Sequence, residues 1–323
     1  SRVRRNGDRL RVCDDGKRRD SPGEGNGMKV VVDPRAGFCG GVKRVVRIAE
    51  RELGSSKRPV LSVGDVIHNE REISRLEMLG LHSTDYSILE RKPDDAPRLL
   101  IRAHGETPDI FVRAQRQGYE LIDGTCPVVT RSQNIARVHH LAGEQVVIIG
   151  KPYHPETKGI VGHCDGDAIV VFEHSDVRKL NSDRKTFVLA QTTISADWFA
   201  ERVAWVRERC REVLVENTIC RFVLGRDRDL RRFAREVDVL ILVGGTRSSN
   251  TRSLFEVCRQ VNSRSHLIVD ESEITQSWFR PEDVVGVSGS ASTPRWQLEQ
   301  VARFLEHLTL TEKHALHSSS GCA

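Results

Sequence analysis

The 323-residue sequence has no run of 18 consecutive apolar residues, so no membrane-spanning helix is predicted and no membrane partner is expected. Its amino terminus is charged throughout and lacks the apolar core of a secretory signal. The expected location is therefore the cytoplasm, where thiols stay reduced and structural disulfides are rare.

A large excess of charge of either sign is also missing. The chain has 50 Lys and Arg residues against 45 Asp and Glu residues, a formal net charge of +5. Residues 1–27 hold eight of these basic residues and five of the acidic ones, which leaves only +2 for the rest of the chain. Binding to nucleic acid needs a concentrated basic face, so nucleic acid is not an expected partner. Residues 1–27 have no hydrophobic period and are predicted to be a disordered, dispensable extension or sequence upstream of the true start. A basic RNA-binding arm is the alternative, although acidic residues are interleaved with its basic ones.

From Met28 onward, short apolar runs alternate with amphipathic stretches. Ten runs rich in Val and Ile predict buried parallel strands: MKVVVD, PVLSVG, RLLIRAHG, YELIDG, QVVIIG, AIVVFE, TFVLAQT, DVLILVGG, HLIVDE and VVGVSGS. The segments between them predict helices, among them Val42–Leu53, Asp109–Arg116, Thr130–Leu141, Ala196–Val213, Asp229–Val237, Arg252–Val261 and Arg295–Leu308. This alternation predicts an α/β fold with mainly parallel sheets, and the length favours several small sheets.

Three of the eight cysteines are almost evenly spaced: Cys39, Cys126 and Cys220 lie 87 and 94 residues apart. Each follows an extended run and precedes a helical one, in GFC-GGVKRVV, GTC-PVVTRSQ and TIC-RFVLGRD. The spacing suggests a threefold structural repeat with one cysteine in each unit.

A helix amino terminus lowers the pKa of a thiol and favours the thiolate that binds metals. Three such thiolates around a threefold axis would hold an iron–sulfur cluster by three corners and leave one iron open to substrate. The alternative is that all three are buried structural cysteines. That role is expected for Cys164, and for Cys210 and Cys258, which are predicted to lie inside helices.

Three histidines end or follow predicted strands: His68 in VIHNE, His104 in RAHGE and His154 in YHPE. Ligands collect at the carboxyl ends of parallel strands, so these imidazoles can bind a diphosphate or a metal. Simple exposure is the alternative. Glu156 lies two residues beyond His154 in a stretch predicted to be extended, so both side chains should face the same way. A carboxylic acid there can donate a proton; otherwise Glu156 is a surface residue.

Small hydroxyl and amide side chains follow three further predicted strands, within AQTTIS, GTRSSNT and SGSASTP. At helix starts, such side chains and the free backbone N–H groups suit an anionic phosphate. Ordinary helix capping is the alternative for each of them. The residues concerned are Thr192, Thr193, Ser248, Ser249, Asn250 and Ser292.

Nine short motifs occur in a characteristic order: AGFCGGVKR, VIHN, AHG, DGTCPVVT, HPE, QTT, TIC, SSN and SASTP. Over roughly Met28 to Leu308, they resemble the 4-hydroxy-3-methylbut-2-enyl diphosphate reductase family, which acts last in the non-mevalonate isoprenoid pathway. The resemblance implies a trefoil of three small α/β domains around a central 4Fe–4S cluster. We expect residues 40–126 to form the first domain, 127–219 the second, and 28–39 with 220–310 the third. Residues 311–323 are expected to be a loose tail.

By this resemblance, Cys39, Cys126 and Cys220 ligate the cluster and leave one iron open to substrate. Glu156 supplies a proton, and Thr192 positions the substrate hydroxyl and relays that proton. The diphosphate is held by His68, His104, His154, Ser248, Ser249, Asn250 and Ser292. The implied reaction is a reductive dehydroxylation of the allylic diphosphate to isopentenyl and dimethylallyl diphosphates. Its two electrons come from a donor such as ferredoxin or flavodoxin.

The chain departs from the family pattern at several positions. After TIC the family usually has an Ala-Thr pair and then Arg-Gln, whereas this chain reads RFVLGRD, keeps Arg226 and has Asp227 in place of the amide. Ser290 replaces a glycine, and Thr246 and Arg247 replace Lys or Asn. No proposed ligand or phosphate contact is lost.

Two other functions remain open. A zinc hydrolase with Cys and His ligands is one, although the sequence contains neither HExxH nor paired CxxC. The other is a diverged, non-catalytic relative that binds diphosphates or senses redox state. The presence of both Glu156 and Thr192 favours an active enzyme.

Overall fold

The computed structural model describes residues 28–55, 58–90, 92–93, 97–245 and 248–318. For Ser249 and residues 309–318 it describes the backbone alone. The predicted extension over 1–27 lies outside the described residues, as do Thr246 and Arg247.

Twelve strands and nine α-helices make up the described part of the chain. The strands are β1 (Lys29–Val32), β2 (Val60–Val63), β3 (Leu81–Thr84), β4 (Arg98–Ile101), β5 (Glu120–Asp123), β6 (Gln145–Ile149), β7 (Ile169–Val171), β8 (Thr186–Ala190), β9 (Val213–Glu216), β10 (Val239–Val243), β11 (Ser265–Ile268) and β12 (Val284–Gly289). The helices are α1 (Gly40–Ser55), α2 (Glu70–Met78), α3 (Pro108–Gln117), α4 (Pro127–Leu141), α5 (Pro155–Gly162), α6 (Ala196–Arg209), α7 (Arg221–Arg235), α8 (Ser249–Val261) and α9 (Arg295–Ser318).

The strands form three four-stranded sheets, and every strand pair is parallel. The first unit has the order β3-β2-β4-β5, the second unit β7-β6-β8-β9 and the third unit β1-β12-β10-β11. In the third unit, Lys29 pairs with Val284, so strands from the two ends of the described chain lie side by side. The predicted fold class, small α/β units with parallel sheets in a threefold arrangement, is confirmed. The exact domain boundaries stay a prediction.

Each sheet is covered on both faces, which explains why its central strands are continuously apolar. Strand β6 is an example: Val147 and Ile149 pack into one core cluster, whereas Val146 and Ile148 pack into the cluster on the opposite face. All five residues of β6, β8 and β10 are buried. No helix in the described part of the chain is both long enough and apolar enough to cross a membrane.

Sequence analysis missed the edge strands β3 and β9. Only Leu81 is buried in β3, and no residue is fully buried in β9, because an edge strand needs fewer apolar residues than a central one. The helix predicted over Ala196–Val213 was too long. It ends at Arg209, Cys210 lies just beyond it, and Val213 starts β9.

Two short helices, α2 and α5, were also missed, and several predicted ends were wrong: α7, for example, begins at Arg221 and not at Asp229. Helix α4 begins at Pro127, whose fixed φ suits the first helical turn. Helix α9 runs to Ser318, whereas a loose tail was expected from residue 311. No Pro or Gly interrupts this segment, so nothing local ends the helix sooner.

Candidate active site

The three evenly spaced cysteines line one cavity at the centre of the molecule. Cys126 and Cys220 are the N-cap residues of α4 and α7, and Cys39 directly precedes α1. The backbone N–H of Val42 donates to the Cys39 sulfur over 3.4 Å. The structure thus brings a helix start from each third of the sequence to the same place, as the spacing predicted.

Gly41 allows the Cys126 thiol to approach α1. A Cβ atom on Gly41 would lie 2.5 Å from the Cys126 sulfur and 3.9 Å from the Cys39 sulfur. The first distance is too short for any side chain, so only glycine leaves this space to the sulfur atoms.

Burial raises the pKa of the Cys39 and Cys126 thiols. Backbone N–H groups at the helix starts lower it, but burial outweighs them, and the neighbouring thiols raise it further. The expected low thiol pKa is therefore wrong for these two residues in the metal-free chain. Three thiolates placed together repel one another until a cation compensates for their charge, which fits a metal group as their occupant.

The donor set has the composition that an open iron–sulfur site needs. Among the described residues, no fourth cysteine lines the cavity. Cys164, Cys210 and Cys258 are buried in three separate core clusters, in agreement with their predicted structural role. The residues present therefore fit a cluster held by three protein thiolates with one metal corner left open.

Three histidines meet on another wall of the same cavity. The ring centroids of His68 and His104 are 4.2 Å apart, and His154 lies 5.6 and 5.5 Å from them. One nitrogen from each ring lies within 4.8 Å of the other two, so the cluster could surround a phosphoryl oxygen or a metal ion. The prediction that these side chains converge is correct.

Two of these imidazoles, His104 and His154, favour the neutral form. Burial lowers the pKa of His154 to about 3 and the pKa of His104 well below its ordinary value, and the nearby His68 adds to both effects. The Nδ1 atom of His104 is buried without a hydrogen-bond partner among the described residues. A neutral ring can donate from one nitrogen, and an incoming anion would favour its protonation.

Glu156 is fully buried on the cavity wall and bonded to Thr192 twice. The backbone N–H of Thr192 donates to one carboxylate oxygen over 2.6 Å, and its hydroxyl donates to the other over 2.9 Å. Burial raises the pKa of Glu156 to about 7, although both hydrogen bonds oppose this. The predicted extended stretch was wrong, because His154 is the N-cap of α5 and Glu156 lies in its first turn. Both side chains still line the cavity.

The third unit contributes the hydroxyl and amide groups. Ser248, Asn250 and Ser292 line the cavity. Ser248 also caps α8 by accepting a hydrogen bond from the N–H of Thr251, so capping and cavity lining occur together. The Nδ2 atom of Asn250 is buried without a partner among the described residues, which leaves a donor available to an anion. Ser249 begins α8, and the structure describes only its backbone.

Polar contacts join these loops across the units. The Ser292 hydroxyl donates to the carbonyl oxygen of His68 over 3.1 Å. Ser290, where the resemblance leads one to expect glycine, accepts a hydrogen bond from the Thr251 hydroxyl over 2.8 Å and lies 3.2 Å from the Ser292 hydroxyl. This departure therefore adds a buried hydroxyl beneath the predicted phosphate contacts.

A buried ion pair fixes the helix that carries Cys220. Arg226 on α7 lies 2.7 Å from the Asp33 carboxylate at the end of β1, and the Ser288 hydroxyl of β12 donates to the same carboxylate. Both ionic side chains are almost fully inaccessible to solvent. The start of α7 is thereby tied to the strand that leads to Cys39.

Sequence reasoning missed the apolar part of the cavity wall. Phe222 and Val223 line the cavity beside Cys220, in the stretch after TIC where an Ala-Thr pair was expected. Val42, Val128 and Val129 contribute further apolar surface. The departure from the family pattern was the signal available, but a single apolar residue near a helix start cannot be told from a core residue by its spacing.

Comparisons with known proteins agree with this geometry. The family model described as LytB protein matches residues 30–306. A 4-hydroxy-3-methylbut-2-enyl diphosphate reductase of Chloroherpeton thalassium is 39% identical over 313 residues, which cover 88% of this chain and 97% of that protein. The enzyme of the same name from Parabacteroides distasonis is 40% identical over 296 residues, with 88% and 100% of the two chains covered.

Two solved structures share the fold. One is a (E)-4-hydroxy-3-methyl-but-2-enyl diphosphate reductase, with 33% identity, a TM-score of 0.67, and 87% and 99% of the two chains covered. The other is the E-1-hydroxy-2-methyl-but-2-enyl-4-diphosphate reductase of Plasmodium falciparum, with 24% identity, a TM-score of 0.77, and 87% and 88% of the two chains covered. The family model spans most of the described residues and includes every cysteine and histidine of the cavity. This chain therefore belongs to the LytB protein family.

Proposed function

We propose that this protein reduces 4-hydroxy-3-methylbut-2-enyl diphosphate to isopentenyl and dimethylallyl diphosphates. The proposal rests on the observation that one cavity contains three thiols at helix starts, three imidazoles and a buried carboxyl group that is hydrogen-bonded to a threonine. The relatives that cover most of this chain have the name of that reductase. In the reaction, two electrons and two protons remove the allylic hydroxyl group as water.

Cys39, Cys126 and Cys220 would hold the metal group. A 4Fe–4S cluster on these thiolates would supply electrons one at a time and a Lewis-acidic iron for the substrate hydroxyl. The apolar wall that includes Phe222 and Val223 excludes water from this part of the cavity.

The histidines and the groups of the third unit would bind the diphosphate. His68 and His104 come from the first unit, His154 from the second, and Ser248, Asn250 and Ser292 from the third. The buried donors of His104 and Asn250 have no competing partner among the described residues, so binding an anion costs no internal hydrogen bond there. Contacts from all three units would orient the hydroxyl end of the substrate toward the thiols.

Glu156 would hold the proton for the reaction. With a pKa of about 7, it is protonated in a large fraction of molecules near neutral pH. The Thr192 hydroxyl bonded to this carboxyl group lines the cavity as well, so it can position the substrate hydroxyl and pass the proton to it.

The proposal includes a cytoplasmic location and a one-electron donor of the ferredoxin or flavodoxin type. A zinc hydrolase is the second candidate, because the three histidine nitrogens lie close enough to share one metal ion. In that case the histidines would hold zinc and the thiols would have no redox role.

The deciding experiment is an anaerobic preparation analysed for iron, sulfide and zinc, with an absorption spectrum before and after addition of the allylic diphosphate. For the reductase we expect about four irons per chain and an absorption band at roughly 400 nm that changes when substrate is added. One tightly bound zinc with little iron would favour the hydrolase. Iron without any response to substrate would favour a non-catalytic relative.

A further inference from the structure

Two adjoining grooves on the outer surface beside the cysteines have more basic than acidic side chains among their lining residues. We call them together the basic groove. Helix α1, the start of α4 and the edge strand β5 form its walls. Asp123 is the acid among its lining residues, and its cations are Lys43, Arg44, Arg47, Arg51 and Arg131.

The charge of the basic groove is only partly neutralised. Lys43 and Arg47 are exposed and form no ion pair with any acid in the described part of the chain. Arg44 donates to the backbone carbonyl oxygens of Thr125 and Asp123 over 3.1 and 3.3 Å, so its charge also lacks a carboxylate partner. Arg51 and Arg131 pair with single glutamates.

Helix α7, which follows the third cysteine, is different. It is also rich in arginine, but Arg228, Arg231 and Arg232 each lie within 4.0 Å of an aspartate on the same helix. Arg221 and Arg235 of this helix form no ion pair among the described residues, so α7 has two such cations, against Lys43, Arg44 and Arg47 in the basic groove.

The basic groove lies close to the metal-binding thiols. The N–H of Lys43 donates to the Cys39 carbonyl, and Arg44 binds the carbonyl of the residue that precedes Cys126. Helical rise places Lys43 and Arg47 only about 6 and 12 Å along the axis from Cys39. Electron transfer slows steeply with distance, so a donor seated here would be well placed for it.

We propose that the basic groove is the docking surface for a small acidic protein that carries one electron. The inference rests on the proposed function and adds the place where electrons enter. Complementary charge speeds encounter and sets orientation without a large apolar interface, as transient electron-transfer complexes require. Two carriers dock in turn, and each is oxidised by one electron. The two electrons and one proton replace the allylic C–O bond by a C–H bond, and the second proton leaves with the hydroxyl group as water.

The test uses the double variant Lys43→Glu/Arg47→Glu. The matched control is Arg116→Glu/Arg303→Glu, because these arginines of α3 and α9 are exposed and form no ion pair among the described residues. The first measurement is the dissociation constant for an acidic flavodoxin, titrated anaerobically at low and high ionic strength. We expect at least about tenfold weaker binding for the groove variant at low salt and convergence with wild type at high salt. The control should stay within about twofold of wild type.

Turnover separates docking from catalysis. With a small viologen dye as reductant, the groove variant should match wild type, whereas with reduced flavodoxin its kcat/KM should fall about tenfold or more. If the double charge reversal folds poorly, Lys43→Gln/Arg47→Gln replaces it. This variant must also bind flavodoxin more weakly and have a lower kcat/KM with reduced flavodoxin, by a smaller factor.

Equal flavodoxin affinity in the groove and control variants would overturn the inference. So would binding that is indifferent to salt, or a short duplex DNA that binds the groove as tightly as flavodoxin does. Wild-type protein that shows no turnover even with viologen would instead refute the proposed function, and the affinity measurement would still decide the docking site.

Discussion

At the scale of single residues, the chemistry of Glu156 depends strongly on its surroundings. Replacing it by glutamine keeps the shape and the contact with Thr192 but removes the transferable proton. We expect Glu156→Gln to retain iron and substrate binding and to lose about 10²- to 10⁴-fold in kcat, as is usual for loss of a general acid. Single-turnover rates measure the loss in kcat, and a substrate titration of the same sample measures the retained binding.

The pH dependence follows from the same group. Burial raises the pKa of Glu156 to about 7, so its proton is held at lower pH and lost as the pH rises through that value. Turnover should fall over the same range. The stability contributed by the neutral carboxyl group should decline over a lower range, from its ordinary pKa of 4.5 up to about 7, because the unfolded chain loses the proton first. Neither change should occur in Glu156→Gln, and an identical pH profile in that variant would contradict the assignment.

Gly41 gives a second prediction at this scale. A methyl group on Gly41 would collide with the Cys126 sulfur, whereas one on Gly225 of α7 would meet no atom within 4 Å. Gly41→Ala should therefore lose most of its bound iron. Gly225→Ala should keep its iron and gain up to about 1 kcal/mol of stability, because alanine is the better helix former. Iron analysis and chemical denaturation of both variants provide the measurement.

At the scale of elements, the Arg226–Asp33 pair holds α7 against β1 and β12. Removing one partner of a buried pair leaves the other charge uncompensated, which typically costs about 3–5 kcal/mol. We expect a loss of that size in the free energy of unfolding of Asp33→Asn, measured by urea denaturation. Glu299→Gln, which breaks the exposed Arg295–Glu299 pair on α9, should cost less than about 1 kcal/mol. Similar losses in the two variants would show that burial does not set the strength of the first pair.

The elements also show what sequence patterns could and could not predict. The VLILV segment of β10 predicted a strand because both of its faces are buried. The LHST segment of β3 did not, because an edge strand with exposed His82 and Ser83 resembles a loop. Helix α5 was missed because its eight residues are too few for a period of 3.6 to show.

The candidate site was predictable to the extent that its residues are chemically distinctive. Cysteines, histidines and a glutamate next to strand ends and helix starts could be assigned, and the structure brings them together. Phe222 was not recognised, since an apolar side chain that faces a cavity has the same pattern as one that faces the core. The raised thiol pKa of Cys39 depends on burial, which no local pattern reports.

At the scale of the whole molecule, the cavity is assembled from three units, so a ligand that contacts all of them should stabilise the entire chain. Inorganic diphosphate at 100 times its dissociation constant should add about 2.7 kcal/mol to the free energy of unfolding. Thermal unfolding with and without this anion tests the effect, and His104→Gln should diminish it. A shift that is equally large in that variant would place the anion elsewhere.

The parallel pairing of β1 with β12 also has a consequence for biosynthesis. β1 leaves the ribosome among the first described residues, and its partner Val284–Gly289 is made some 250 residues later. At about 5–20 residues per second, the strand that leads to Cys39 waits for many seconds without its neighbour. The first and second units can fold during that interval, but the third cannot close. The three helix starts of the cavity can therefore take up their final arrangement only after β12 has been made, and any metal group that the thiols hold would enter after that point.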